Sequence, residues 1–132
     1  MANPSNIVAL FICVVVRQVL GFFWYDRKFL GAAWIQKGKI EIQKNPSLFP
    51  LIITSIACSF LTTYVMAHFL FYLHVQTVRS AVRVGFFLWL GFTFSTIVVH
   101  NNFANRSIVY TAIDILHDLG ATIVTAILLT IL

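Results

Sequence analysis

The chain has 132 residues, of which 60% are hydrophobic and only 10% charged, with a mean hydropathy of +0.91 and a formal net charge of +5. A water-soluble domain this small must still cover itself with polar groups, so this composition excludes one and points to lipid as the solvent. The positive charge is not a nucleic-acid footprint, because the basic residues flank apolar runs and no soluble domain displays them.

The first apolar run covers residues 7–25. No basic residue precedes it, and Arg17 and Gln18 interrupt it before any small-residue cleavage site, so it is expected to be a retained span rather than a cleaved leader. Phe22, Phe23, Trp24 and Tyr25 close it, as aromatic residues do at a membrane interface, and Trp34 follows in the next loop. Residues 26–47 form a basic loop with turn signals at Gly31, Gly38 and Asn45-Pro46. Further runs at 48–73, 84–99 and 108–132 suit a hydrocarbon core about 30 Å thick, which takes roughly 20 residues of helix. Runs this long are helices rather than barrel strands, since lipid leaves no partner for an open backbone. The expected fold is all-α: a single domain over residues 1–132, an integral membrane four-helix bundle.

Lysine and arginine give the orientation. Arg27, Lys28, Lys37, Lys39, Lys44 and Arg106 fall on one face, and only Arg79 and Arg83 on the other. The richer face is expected in the cytoplasm, or in the matrix of an organelle, with both termini on the opposite side. Bacterial and mitochondrial inner membranes suit these features equally. Arg27, Lys28, Lys37 and Lys39 are also placed to contact anionic lipid headgroups. The Asn105-Arg106-Ser107 acceptor pattern then lies on the wrong face for glycosylation.

His68 and His74 are expected at the interface, while the ionisable residues deep inside the spans are Arg17 in the first, and Asp114, His117 and Asp118 in the fourth. Each costs roughly 2.5 to 3.5 kcal/mol at a helix centre, so each is expected to be paired or to line a cavity. At 100° per residue, Thr111, Asp114, His117, Asp118, Thr122 and Thr125 share an arc of about 140°, and Asn6, Cys13, Arg17, Gly21 and Trp24 one of about 80°. If Tyr25 and Ile108 sit at one level, Arg17 lies about 12 Å from it, between Asp114 at about 9 Å and Asp118 at about 15 Å. A buried ion pair or triad between spans one and four is therefore expected. It reads first as a polar clamp, second as a proton or ion relay, and third as a metal site with His100 as a further ligand.

In the second run Ser55, Ser59 and Thr63 form a small-residue row, the mark of a helix-packing seam. In the third, Trp89, Thr93, Thr96 and His100 share a stripe, and Thr93, Thr96 and His100 are expected as additional polar lining. Cys13 and Cys58 show neither a disulfide framework nor a metal spacing. No nucleophile elbow, phosphate loop or zinc-protease signature appears, so no catalytic residue, metal or cofactor is expected and the chain is not expected to be an enzyme.

Leu20-Gly21-Phe22-Phe23-Trp24-Tyr25, followed by Phe29, Gly31 and Trp34, resembles the opening signature of the domain of unknown function 1761 family. Trp89 to Phe92 and the Asn-x-Phe-x-Asn-Arg-Ser stretch beginning at Asn101 fit the same pattern over nearly the full length. Asp26-Arg27-Lys28 departs from it, standing where a Ser-Pro type of turn is commoner. The resemblance implies a small four-span membrane protein and carries over no functional residue. The expected role is a non-catalytic accessory or assembly subunit that packs against other membrane subunits, itself or lipid. The alternative is a small proton- or cation-coupled carrier or channel, acting as an oligomer through the Arg/Asp/His cluster.

Overall fold

The computed structural model describes residues 2–132 and contains five helices: α1 (Ile7–Trp24), α2 (Gly31–Gly38), α3 (Leu48–Tyr72), α4 (Val78–Phe103) and α5 (Ile108–Ile131). All but α2 are long and apolar enough to cross a membrane. The chain is an all-α, multi-pass integral membrane protein.

Side-chain caps define several starts. Asn6 accepts from the Ala9 amide at 3.1 Å, Thr77 from Ser80 at 3.2 Å and Ser107 from Tyr110 at 3.1 Å, each satisfying one of the amides that a first helical turn leaves free. Pro50 is tolerated in the first turn of α3, where its missing N–H removes no helical bond. Three helices are followed by a non-glycine residue in the left-handed region: Lys39 after α2, His74 after α3 and Asn105 after α4. There the amides of Ile40, Val75 and Arg106 turn back onto helical carbonyls of Ile35, Leu70 and Asn101.

The third span is longer than the expected 84–99, because Thr77 caps a helix that begins at Val78 and takes Arg79 and Arg83 into its first turns. Both arginines are exposed and reach away from the apolar centre. Residues Trp89–Phe94 within α4 form a π-helical segment, whose wider turn rotates less per residue and shifts the phase of the helix beyond it.

The packing centres on α5, the most buried span, which lies against α1, α2 and α4 and more lightly against α3. Small residues permit close approach: a Cβ on Gly85 of α4 would lie 3.2 Å from the Ala126 Cβ of α5. At the end away from the basic loop, Leu10, Cys13, Met66, Ala67, Leu70, Ala126 and Leu129 join one buried apolar cluster. The row Ser55, Ser59 and Thr63 is the α1–α3 seam, as expected, and Gln18 is its partner. The Gln18 amide donates to Ser59 Oγ at 2.8 Å and accepts from Ser55 Oγ at 2.9 Å.

The stretch expected as a basic loop contains α2. The chain turns sharply after α1, with the amides of Phe29 and Gly31 both donating to the Asp26 carbonyl at 2.9 Å. A Cβ on Gly31 would lie 2.1 Å from the Tyr25 carbonyl oxygen, so the fold-back requires glycine there. Gly38 lies similarly close to the Tyr110 ring, at 2.5 Å from a built Cβ. These two contacts lay α2 across the basic end of α5.

Candidate functional site

The ionisable residues of α1 and α5 line a polar column that starts at the basic end and stops near mid-depth. Its outer layer surrounds Asp114. The Tyr25 hydroxyl donates to Asp114 Oδ1 at 2.7 Å and the Trp34 indole N–H donates to the same oxygen at 2.8 Å. Two aromatic contacts hold the donors: Tyr25 meets Trp34 edge to face at 5.3 Å, and Trp34 stacks on Tyr110 at 5.4 Å. Burial first, and then the bond to Asp114, raise the Tyr25 hydroxyl above its ordinary pKa, which favours the neutral phenol as donor. Arg106 lies over the Tyr110 ring and donates to the Gly38 carbonyl, tying the end of α2 to the start of α5.

The next layer holds His117 and Asp118. His117 Nδ1 faces Asp118 Oδ1 at 3.2 Å, and this is the only ion pair among the described residues when the imidazole is protonated. The His117 ring packs between Tyr25 at 5.1 Å and Trp24 at 6.1 Å, measured between ring centroids. Trp24 in turn donates its indole N–H to the Ile113 carbonyl at 3.0 Å, fixing α1 to α5. The innermost layer is Arg17, whose Nη1 donates to the Thr125 hydroxyl at 3.4 Å, while Thr125 donates to the Ala121 carbonyl at 2.7 Å.

The expected Arg17 ion pair with Asp114 or Asp118 is not formed, and helix register explains why. Tyr25 sits beside Asp114, six residues into α5, rather than beside Ile108. Eight residues of α1 separate Tyr25 from Arg17, about 12 Å, which places the Arg17 backbone near the level of Thr122. Side chains lean toward the N-terminus of their own helix, and α1 and α5 run in opposite directions. Arg17 therefore leans toward Thr125 while Asp118 leans toward Asp114, and the two side chains make no ion-pair contact although their charges still act on each other through space.

The other expected site residues divide. Thr93 is half-buried, but Thr96 and His100 are exposed, because the π segment turns the last part of α4 away from the face that Trp89 occupies. Trp89 is buried and donates its indole N–H to the Ile115 carbonyl at 2.9 Å. His100 thus lies outside the column, and among the described residues no group of three His, Cys, Asp or Glu side chains is placed to hold a metal ion. Arg27, Lys28, Lys37 and Lys39 are all exposed at the basic end. Cys13 is buried in the apolar cluster and Cys58 is exposed on α3.

Tyr25, Trp34 and Gln18 are the polar partners that periodicity alone does not assign. Trp34 reads as an interfacial anchor in a loop. The signal for another role is its position within Gly31–Gly38, two glycines that bracket one short helix.

Two grooves open between the helices. One, of about 590 Å³, lies between α1 and α3 and is lined on its inner side by Arg17 and His117. The other, of about 440 Å³, lies between α3 and α4 and is mainly apolar, with Leu61, Val65, Phe69, Trp89 and Phe92 among its walls beside Thr62, Thr93 and Thr122.

Searches of curated proteins and of solved structures return no match. The model of the family described as "Protein of unknown function (DUF1761)" matches residues 8–130, which take in the five helices but for one residue at either end and the whole polar column, and the chain belongs to that family.

Proposed function

We propose that this protein is a non-catalytic membrane assembly element that receives a transmembrane helix of another subunit, or of a second copy of itself, in the groove between α3 and α4. The observation that carries the reading is the groove of about 440 Å³ along α3, the least buried of the four spans. Thr54, Cys58, Leu61, Val65 and Phe69 recur at intervals of three or four residues on α3, and all are exposed. Such a stripe offers a partner helix one continuous face. Thr54 and Thr62 donate to the carbonyls of Pro50 and Cys58 on their own helix, at 2.8 and 2.9 Å, so neither hydroxyl is left unmet on the lipid side.

The polar column supports a clamp more than a conduit. Asp114 and Asp118 both have fixed partners, and beyond Thr125 the interior is mostly apolar, with Leu10, Cys13, Leu70 and Leu129 and no ionisable side chain other than Cys13 among them. A clamp that holds α1, α2 and α5 in register would present the α3–α4 groove on a rigid frame. The exposed Arg27, Lys28, Lys37 and Lys39 suit anionic headgroups at the cytoplasmic or matrix face, at about 1 kcal/mol per side chain.

Extraction in mild detergent followed by native sizing tests the reading. A complex larger than the monomer is expected, and Leu61→Trp, which fills the groove, releases the monomer. A monodisperse monomer before and after this change contradicts it. The carrier reading draws on one observation, that Asp114, His117, Asp118 and Arg17 step inward from the basic end. It requires that Asp118→Asn reduce a proton or cation flux in reconstituted vesicles.

A further inference from the structure

We propose that the groove between α1 and α3 binds a lipophilic carboxylate, a long-chain fatty acid in chemical class, with the carboxylate on Arg17. This inference is independent of the assembly reading. Its starting point is an imbalance of partners at mid-depth. Asp114 holds two donors and Asp118 holds His117, whereas Arg17 feels Asp118 only through space and makes one long bond, to a neutral hydroxyl, at 3.4 Å. Arg17 Nε and His117 Nε2 are both buried without a hydrogen-bond partner among the described residues. A guanidinium inside a bilayer calls for an anion, and its planar fork suits the two oxygens of a carboxylate.

The groove joins this unmet charge to the hydrocarbon around the protein. Its volume of about 590 Å³ falls in the range of small-molecule sites, roughly 300 to 1,000 Å³. Val19, Phe22, Leu51 and Ile52 form its apolar walls, and all four are exposed toward lipid, so an acyl chain can lie along them. Gly21 lines the same groove, and a Cβ there would stand 3.5 Å from His117 Nε2. The missing side chain brings that unpartnered nitrogen to the edge of the groove. Arg17 lies about 12 Å below Tyr25, a depth that a lipophile reaches from the bilayer more readily than a soluble anion does from water.

The test uses the full chain in detergent micelles and the tryptophan quenching caused by a brominated stearate, since Trp24 packs on His117 beside the groove. Saturable quenching is expected with the acid, none with its methyl ester, and no displacement by acetate. Arg17→Gln should weaken binding roughly tenfold to a hundredfold, the loss of a charge-assisted pair, and Arg17→Lys should keep part of it. Val19→Phe fills the groove without touching Arg17 and should weaken binding as well. Equal quenching by the methyl ester, or effective displacement by acetate, overturns the proposal. Unchanged affinity in a well-folded Arg17→Gln also overturns it. If that variant does not fold, unchanged affinity in Val19→Phe does so.

Discussion

Replacing Trp34 with phenylalanine would remove the indole N–H and with it the 2.8 Å bond to Asp114 Oδ1. A smaller ring would remain against Tyr110 and Tyr25, so lost ring contact adds to the lost bond. A hydrogen bond to a charged acceptor contributes about 1.5 to 3 kcal/mol, and because Asp114 is only half-buried the lower end, about 1.5 to 2 kcal/mol, is expected. That loss falls on α2, whose eight residues are too few for a helix to persist without docking. Hydrogen exchange should show the amides of α2 opening about ten to thirty times more often, while those of α1 and α5 keep their protection. Because Tyr25 donates to the same oxygen, Trp34→Phe and Tyr25→Phe together should depart from the sum of the two alone. Unchanged exchange in α2 would refute the view that Asp114 anchors it.

Arg17→Gln and Asp114→Asn should add within about 0.5 kcal/mol in thermal or denaturant unfolding, as separate sites do; strong coupling would mean that the two side chains meet after all. Gly31→Ala should cost about 2 kcal/mol or more, because the backbone oxygen of Tyr25 lies 2.1 Å from the added Cβ. Gly120→Ala meets nothing within 4 Å and should be neutral or stabilising by up to about 1 kcal/mol. Equal effects at the two glycines, in the same melting assay, would count against the fold-back of α2. Because the folded state raises the Tyr25 pKa, its contribution to stability is complete below the unfolded value of about 10 and declines as pH rises beyond it. Melting temperatures between pH 8 and 11 should therefore fall less steeply in Tyr25→Phe than in the unaltered protein.

The four spans are legible because lipid imposes a length and a composition on each, and neither depends on tertiary detail. The inward faces of α1 and α5 are legible for a similar reason, since helical period places Cys13 with Arg17, and Thr122 with Thr125, whatever the neighbours are. Register between helices is not written in that period. A six-residue offset of α5 against α1 separates Arg17 from both carboxylates, and it arises from the contacts of Trp24 with Ile113 and Tyr25 with Asp114. The π segment has the same character: Trp89 and His100 share a stripe on an ideal helix and part company on the real one. α2 is hidden because three of its eight residues are Gly31, Gly38 and Lys37, which read as loop, while its stability comes from Tyr110 and Asp114 far along the chain.

The central claim, that the α3–α4 groove seats a helix of another subunit or of a second copy, is tested most directly by photocrosslinking in the native membrane. A photoreactive residue at Leu61 or Phe92, on the two walls of the groove, is expected to form a discrete protein adduct. The same residue at Val8, which α1 exposes on its surface, is expected to give lipid adducts. Lipid adducts alone at Leu61 and Phe92, indistinguishable from those at Val8, would contradict the account.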